Sequence, residues 1–157
     1  MKTLITPSQA LRLAFGDGEY LPPTTIVEAD IAAAEQRYLV PVLGPALHEK
    51  LLAGGYPDFR TEYLAAPVAL FTRAMIQPRL DIRTDRGGAT APYTAYARPA
   101  DAEARRRQRK ALHAEARTLL RRAARHLADH RDAFPEYEPE KDILNRCSLD
   151  GNLVQTR

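Results

Sequence analysis

Apolar residues recur along this chain mostly at helical spacing. In "TPSQALRLAF" Ala10, Leu11, Ala14 and Phe15 form a short apolar face, and Ser8 stands where a helix cap is expected. "GDGEYLPP" then breaks the chain. Thr25 and Glu28 have capping-box spacing, and Val27, Ile31, Ala34 and Tyr38 follow as one stripe. Pro41 removes a helical hydrogen bond and clashes with the preceding turn, so it predicts a bend. A second short helix carries Leu43, Leu47 and Leu51 and ends at Gly54-Gly55.

Asp58 to about Arg83 reads as a long central helix with a broad apolar surface: Tyr63, Leu64, Ala66, Leu70, Phe71, Ala74 and Met75. Pro67 and Pro78 predict kinks in it. Thr84–Asp101 has no helical period, which predicts a long irregular loop or a β-hairpin over about 84–100. Within it "YTAYAR" (Tyr93–Arg98) alternates like an edge strand that could pair with a neighbouring subunit; a plain loop fits equally well.

Asp101 can cap a last long helix running to about His130. Its apolar row is Leu112, Ala116, Leu119, Ala123 and Leu127, and a second row is Arg106, Lys110, His113, Arg117, Arg121 and Arg125. At 100° per residue the rows lie roughly 120° apart, so one can face the core and the other outward. The tail is broken by Pro135 and Pro139 and reads as extended. The expected fold is all-α for the most part: one bundle of four to five helices over 1–131, with the 84–100 insertion, and an extended acidic tail over 132–157. No internal repeat is visible.

Composition adds little to this picture. At 157 residues, 45% hydrophobic and 27% charged, the chain fits one globular domain. No apolar run is long enough for a signal peptide or a membrane helix, and the single cysteine, Cys147, cannot form an internal disulfide. These features predict a soluble protein inside the cell, without membrane contact.

Charge changes the picture more. Residues 101–131 carry ten Arg or Lys against four Asp or Glu, and residues 132–157 carry six acids against three bases. A basic helix followed by an acidic tail suggests two contact surfaces, the tail docking on its own or a neighbour's basic helix. The arginine row can neutralise phosphates or line a DNA passage, or it can be an ordinary solvated face. No aromatics interleave with it and no helix-turn-helix spacing is present, so base stacking and sequence-specific readout are not expected.

Candidate chemistry is thin. His48-Glu49, His113 with Glu115, and His126 with His130 have the residue types of metal or acid/base sites, but none has a full ligand set nearby. Cys147 lacks an adjacent base or a glycine elbow. No phosphate-binding glycine loop or nucleotide fingerprint occurs. No catalytic residue, cofactor, metal or small-molecule substrate is expected.

One stretch is familiar. "ITPSQALRLAF" followed by "IVEADIAAAEQRYLVPVLGPALHEKLL" resembles small phage head–tail connector (head-completion) proteins, including prophage-encoded relatives. The matching positions are Ile31, Glu35, Tyr38, Leu39, Pro41, Leu43, Gly44, Leu47 and Leu51. The helix order resembles that class too, as does the closing "NRCSLDGNLVQT"; the acidic tail departs from it. The resemblance implies a mostly helical adaptor without catalytic residues. It would assemble as a homo-oligomeric ring between portal and tail proteins, with DNA passing through the lumen. It would be found in the host cytoplasm and, for an active phage, in the virion. Arg106, Lys110, Arg117, Arg121 and Arg125 are then the candidate contacts, to a neighbouring subunit or to DNA. The remaining alternative is a small helical protein that binds nucleic acid without sequence specificity through residues 104–126.

Overall fold

The computed structural model describes residues 2–16, 21–85, 88–90, 100–150 and 153–156. Among them the chain is an all-α bundle with two small hairpins. Helix α1 (Pro7–Ala14) is capped by Thr6 rather than Ser8. The Thr6 hydroxyl accepts the Gln9 N–H and the Gln9 side chain accepts the Thr6 N–H. Pro7, with no N–H to satisfy, suits the first helical position.

Helix α2 (Glu28–Ala34), by contrast, starts later than the Thr25–Glu28 spacing predicts. Asp30 accepts the Val27 N–H and takes the guanidinium of Arg79 at 2.7 Å. Burial alone would raise the Asp30 carboxyl, but the hydrogen bonds from Arg79 and Val27 outweigh it and hold the carboxyl below its ordinary value.

Pro41 does not end this helix. A π-helical turn, Glu35–Leu39, leads directly into α3 (Val40–Leu43), with the Val40 N–H bonded to the Glu35 carbonyl. The widened turn precedes the proline and lets the chain run on. The break comes at Gly44, at φ 81 and ψ 155, a conformation essentially reserved for glycine. Helix α4 (Pro45–Leu52) follows and ends at Gly54, also at positive φ.

The same device recurs one helix later. α5 (Pro57–Phe59) passes through a π-helical turn, Arg60–Leu64, into α6 (Ala65–Asp81), whose third residue is Pro67. Both π turns thus stand just before a proline the helix must accommodate. Pro78 lies inside α6 near its end.

α6 is the axis of the fold, packing against α1, α2 and α7 (Ala102–Asp129). Its residues are buried almost all round, from Pro67 to Ala74 and again at Ile76 and Gln77. Arg73 reaches from it to the carbonyl of Ala14 and lies 4.2 Å from the Phe15 ring centroid. It thereby satisfies an orphan acceptor at the end of α1.

The insertion begins with an antiparallel pair, β1 (Arg83–Asp85) and β2 (Gly88–Thr90). The hairpin alternative therefore holds for its first part, while Tyr93–Arg98 lies outside the described residues.

The C-terminal segment is not simply extended. Phe134 and Tyr137 are buried in the core. The Tyr137 hydroxyl donates to the buried Asp142, which also accepts the Leu144 N–H. Glu136 accepts the Tyr56 hydroxyl at 2.7 Å and pairs with Lys50. After a short α8 (Ile143–Arg146), β3 (Cys147–Asp150) and β4 (Leu153–Thr156) form a second antiparallel pair. The acidic segment thus docks beside α4 and α5. Among the described residues, no ion pair joins it to the arginines of α7.

Candidate functional site

Helix α7 carries the predicted site residues. Asp101 caps it, accepting the Ala104 N–H. Its buried face is Leu112, Ala116, Leu120, Ala123, Ala124 and Leu127. Leu119, expected in that row, is half-buried, and Leu120 takes its place. The face is wider than the predicted row and turned toward the arginines, because α7 packs on both α6 and the π turn at Arg60–Leu64.

That rotation splits the second row. Arg106, Lys110, Arg117, Arg121 and Arg125 are exposed, whereas His113 is half-buried at the border. The His113 ring lies 5.5 Å from that of Tyr38 and 6.1 Å from that of Phe71. Burial lowers its pKa below the ordinary 6.5, and the positive charges of Arg117, Arg37 and Arg109 push it the same way. Arg37, from the π turn after α2, therefore joins the α7 arginines in one positive surface. Among the described residues, none of the five predicted contact residues forms an ion pair.

From Ala102 to Ala111, α7 has no buried residue. This stretch carries Arg105, Arg106, Arg107, Arg109 and Lys110; Ala102, Arg105 and Arg109 lie beside Pro78, Asp81 and Ile82 at the end of α6, while Arg106 and Lys110 are exposed.

Arg122 lies outside the predicted row, yet it is the α7 arginine with described partners. Its guanidinium stands 3.3 Å from Glu62 and 4.8 Å from the Tyr63 ring centroid. Both Arg122 and Glu62 are well exposed, so the pair contributes at most ~1 kcal/mol.

The histidine candidates take structural places. His48 does not work with Glu49, which is exposed. Its Nε2 lies 3.0 Å from Glu35, a residue only 1% exposed, whose other oxygen accepts the Leu4 N–H at 2.7 Å. This buried pair ties α4, the π turn after α2 and the N-terminal segment together. Glu35 entered the sequence reading only as a position of the connector resemblance and not as the partner of His48, yet a signal was present: it stands one residue after Ala34 and four after Ile31, on the apolar stripe. A carboxylate there needs a buried partner.

His126 and His130 stack on each other at 4.2 Å, and His126 stacks on Tyr63 at 4.3 Å. Burial, then the neighbouring His130, lowers the His126 pKa. Among the described residues, no group of three or more His, Cys, Asp or Glu is placed to hold a metal ion. No described helix is long and apolar enough to cross a membrane.

The fold and surface define a helical bundle whose distinctive feature is one long, arginine-bearing helix. The chain belongs to DUF6712, a family of unknown function, which it matches over residues 39–145. That span runs from the end of the first π turn to α8, and so includes α6 and α7. Searches of curated proteins and of solved structures give no match.

Proposed function

We propose that this chain is a non-enzymatic structural subunit of the phage head–tail connector type, acting between portal and tail proteins. The observation that carries this reading is the arginine surface of α7. One face of the helix is committed to the core, while Arg106, Lys110, Arg117, Arg121 and Arg125 stand exposed without ion-pair partners among the described residues. Such a surface is available to a neighbouring subunit or to passing DNA.

The residues that carry the connector resemblance support the same reading. Ile31, Glu35, Leu39, Leu43, Leu47 and Leu51 are all buried, Gly44 makes the turn and Pro41 follows the π turn. They form one packed unit, which supports a scaffold role.

In this role the protein works in the host cytoplasm and, for an active phage, in the virion. The test is to mix the purified chain with a phage portal protein from the same genome and image the mixture by electron microscopy. Rings seated on the portal are expected. A stable monomer that binds no portal refutes the reading.

The second reading, non-specific nucleic-acid binding, is favoured by the convergence of Arg37, Arg109 and Arg117 around His113. It requires DNA binding that weakens as salt rises, and weakens again when Arg117, Arg121 and Arg125 become Gln. Absence of binding at low salt eliminates it.

A further inference from the structure

The structure holds a second surface, at the other end of α7. The π turn after α5, the C-terminal turn of α7 and Phe134 enclose an open groove of about 560 Å³. Its walls are rings. Tyr63, His126 and His130 form one stack, and Phe59 lies 5.0 Å from Phe134 and 5.4 Å from Tyr63. Two exposed carboxylates, Asp58 and Glu62, complete the lining. Asp58 has no ion-pair partner among the described residues.

Aromatic faces beside carboxylates suit a planar cation. Ring faces carry negative quadrupole density, and a carboxylate accepts the guanidinium N–H fork. The C-terminal end of α7 adds its own negative partial charge. The rim already shows this preference, because Arg122 lies over the Tyr63 ring and against Glu62.

We propose that this groove takes the exposed basic side of the first turns of α7 from a second copy of the chain, with Arg106 and Lys110 entering it. Charge complementarity identifies the occupant: the 102–111 stretch has no buried residue and carries five cations without described partners, while the groove carries rings and carboxylates. Geometry makes the contact intermolecular. From Arg106 to His126 the helix spans roughly 30 Å at ~1.5 Å per residue, far beyond the reach of an arginine side chain. The two complementary surfaces therefore cannot meet within one molecule. A contact between opposite ends of the same helix is head-to-tail and propagates into a ring or a filament. This inference deepens the structural-subunit reading and rests on its claim of self-assembly.

Sedimentation velocity on the full chain, at rising protein concentration and in low and high salt, tests it. The wild type is expected to associate at low salt and to dissociate as salt screens the contact. A groove variant, Asp58→Lys with Glu62→Lys, and an arm variant, Arg106→Glu with Lys110→Glu, are each expected to lose association by ~10-fold or more, since like charges then face each other. All four positions are exposed, and circular dichroism checks that both variants fold. The decisive arm mixes the two variants. The intact arm of one variant then meets the intact groove of the other, and the two altered ends also carry opposite charges, so the mixture is expected to recover the association that neither variant shows alone. A groove variant that assembles like the wild type overturns the proposal while leaving self-assembly through another surface intact. A wild type that stays monomeric throughout also overturns it, and leaves portal-driven assembly to be judged by the imaging experiment.

Discussion

Replacing Glu35 by Ala removes the acceptor on which two buried donors depend. The Leu4 N–H donates to one Glu35 oxygen at 2.7 Å, and Nε2 of His48 faces the other at 3.0 Å, as a donor wherever the carboxyl is ionised. Glu35 is 1% exposed and His48 is 4% exposed, so water does not readily take over either bond. An unsatisfied buried donor costs ~1–3 kcal/mol, so the two together cost ~2–6 kcal/mol. Breaking a buried pair by removing one partner costs ~3–5 kcal/mol, which agrees. Against a total stability of ~5–15 kcal/mol, the variant should fold marginally at best.

The assay is urea unfolding followed by circular dichroism, with the midpoint and slope fitted together. Hydrogen exchange gives a local readout, because the Leu4 amide should lose protection first. The double replacement Glu35→Leu with His48→Leu should recover part of the loss, since it leaves no unpaired side-chain charge buried. A loss below ~1 kcal/mol for Glu35→Ala, with Leu4 protection intact, refutes the clasp, because each orphaned donor should itself cost at least that much.

Three further outcomes are expected. Gly44→Ala should destabilise by ~1–3 kcal/mol in the same assay, because φ 81 with ψ 155 is closed to a Cβ-bearing residue; an unchanged midpoint contradicts this. Leu120→Ala should cost ~2–5 kcal/mol and Leu119→Ala clearly less, since Leu120 is 2% exposed and Leu119 only half-buried; the reverse order would place α7 in the predicted register instead. Stability should fall on acidification around and below pH 6.5, because His113 and His126 both have folded pKa values below their ordinary 6.5. In that window the unfolded chain binds more protons, so the stabilisation is complete above the unfolded value and is lost as pH falls through the folded ones. Replacing His113 and His126 by Gln should flatten the urea midpoint between pH 8 and pH 5, and an unaltered slope would rule the two histidines out.

Much of the fold was legible because burial follows helical periodicity. Ile31, Ala34, Leu43, Leu47, Leu51, Leu112, Ala116, Ala123 and Leu127 were all assigned to apolar faces, and all are buried. The prolines were harder to read. Pro41 and Pro67 are ordinary helix-breaking signals, but a π turn in front of each absorbs the clash. Whether a π turn forms depends on what the residues after it gain by packing, and spacing does not show that. The tail misled for a similar reason. Pro135 and Pro139 suggest an extended chain, while Phe134 and Tyr137 are single apolar residues with no period to announce their burial.

The candidate surfaces divide in the same way. The arginine row could be read directly, since its members are neighbours on one helix. The aromatic groove could not, because Phe59 and Tyr63 come from one helix, His126 and His130 from another, and Phe134 from the segment after it. Glu35 and His48 are likewise 13 residues apart, with a glycine turn between them. By itself, then, the sequence determined which residues form helices and which face of each seeks the core, because those follow from local spacing and solvent. Only the tertiary structure decided the rotation of α7, the partner of a buried carboxylate and the two complementary ends of the longest helix. Each of these depends on which distant elements pack together, and packing is a property of the whole chain.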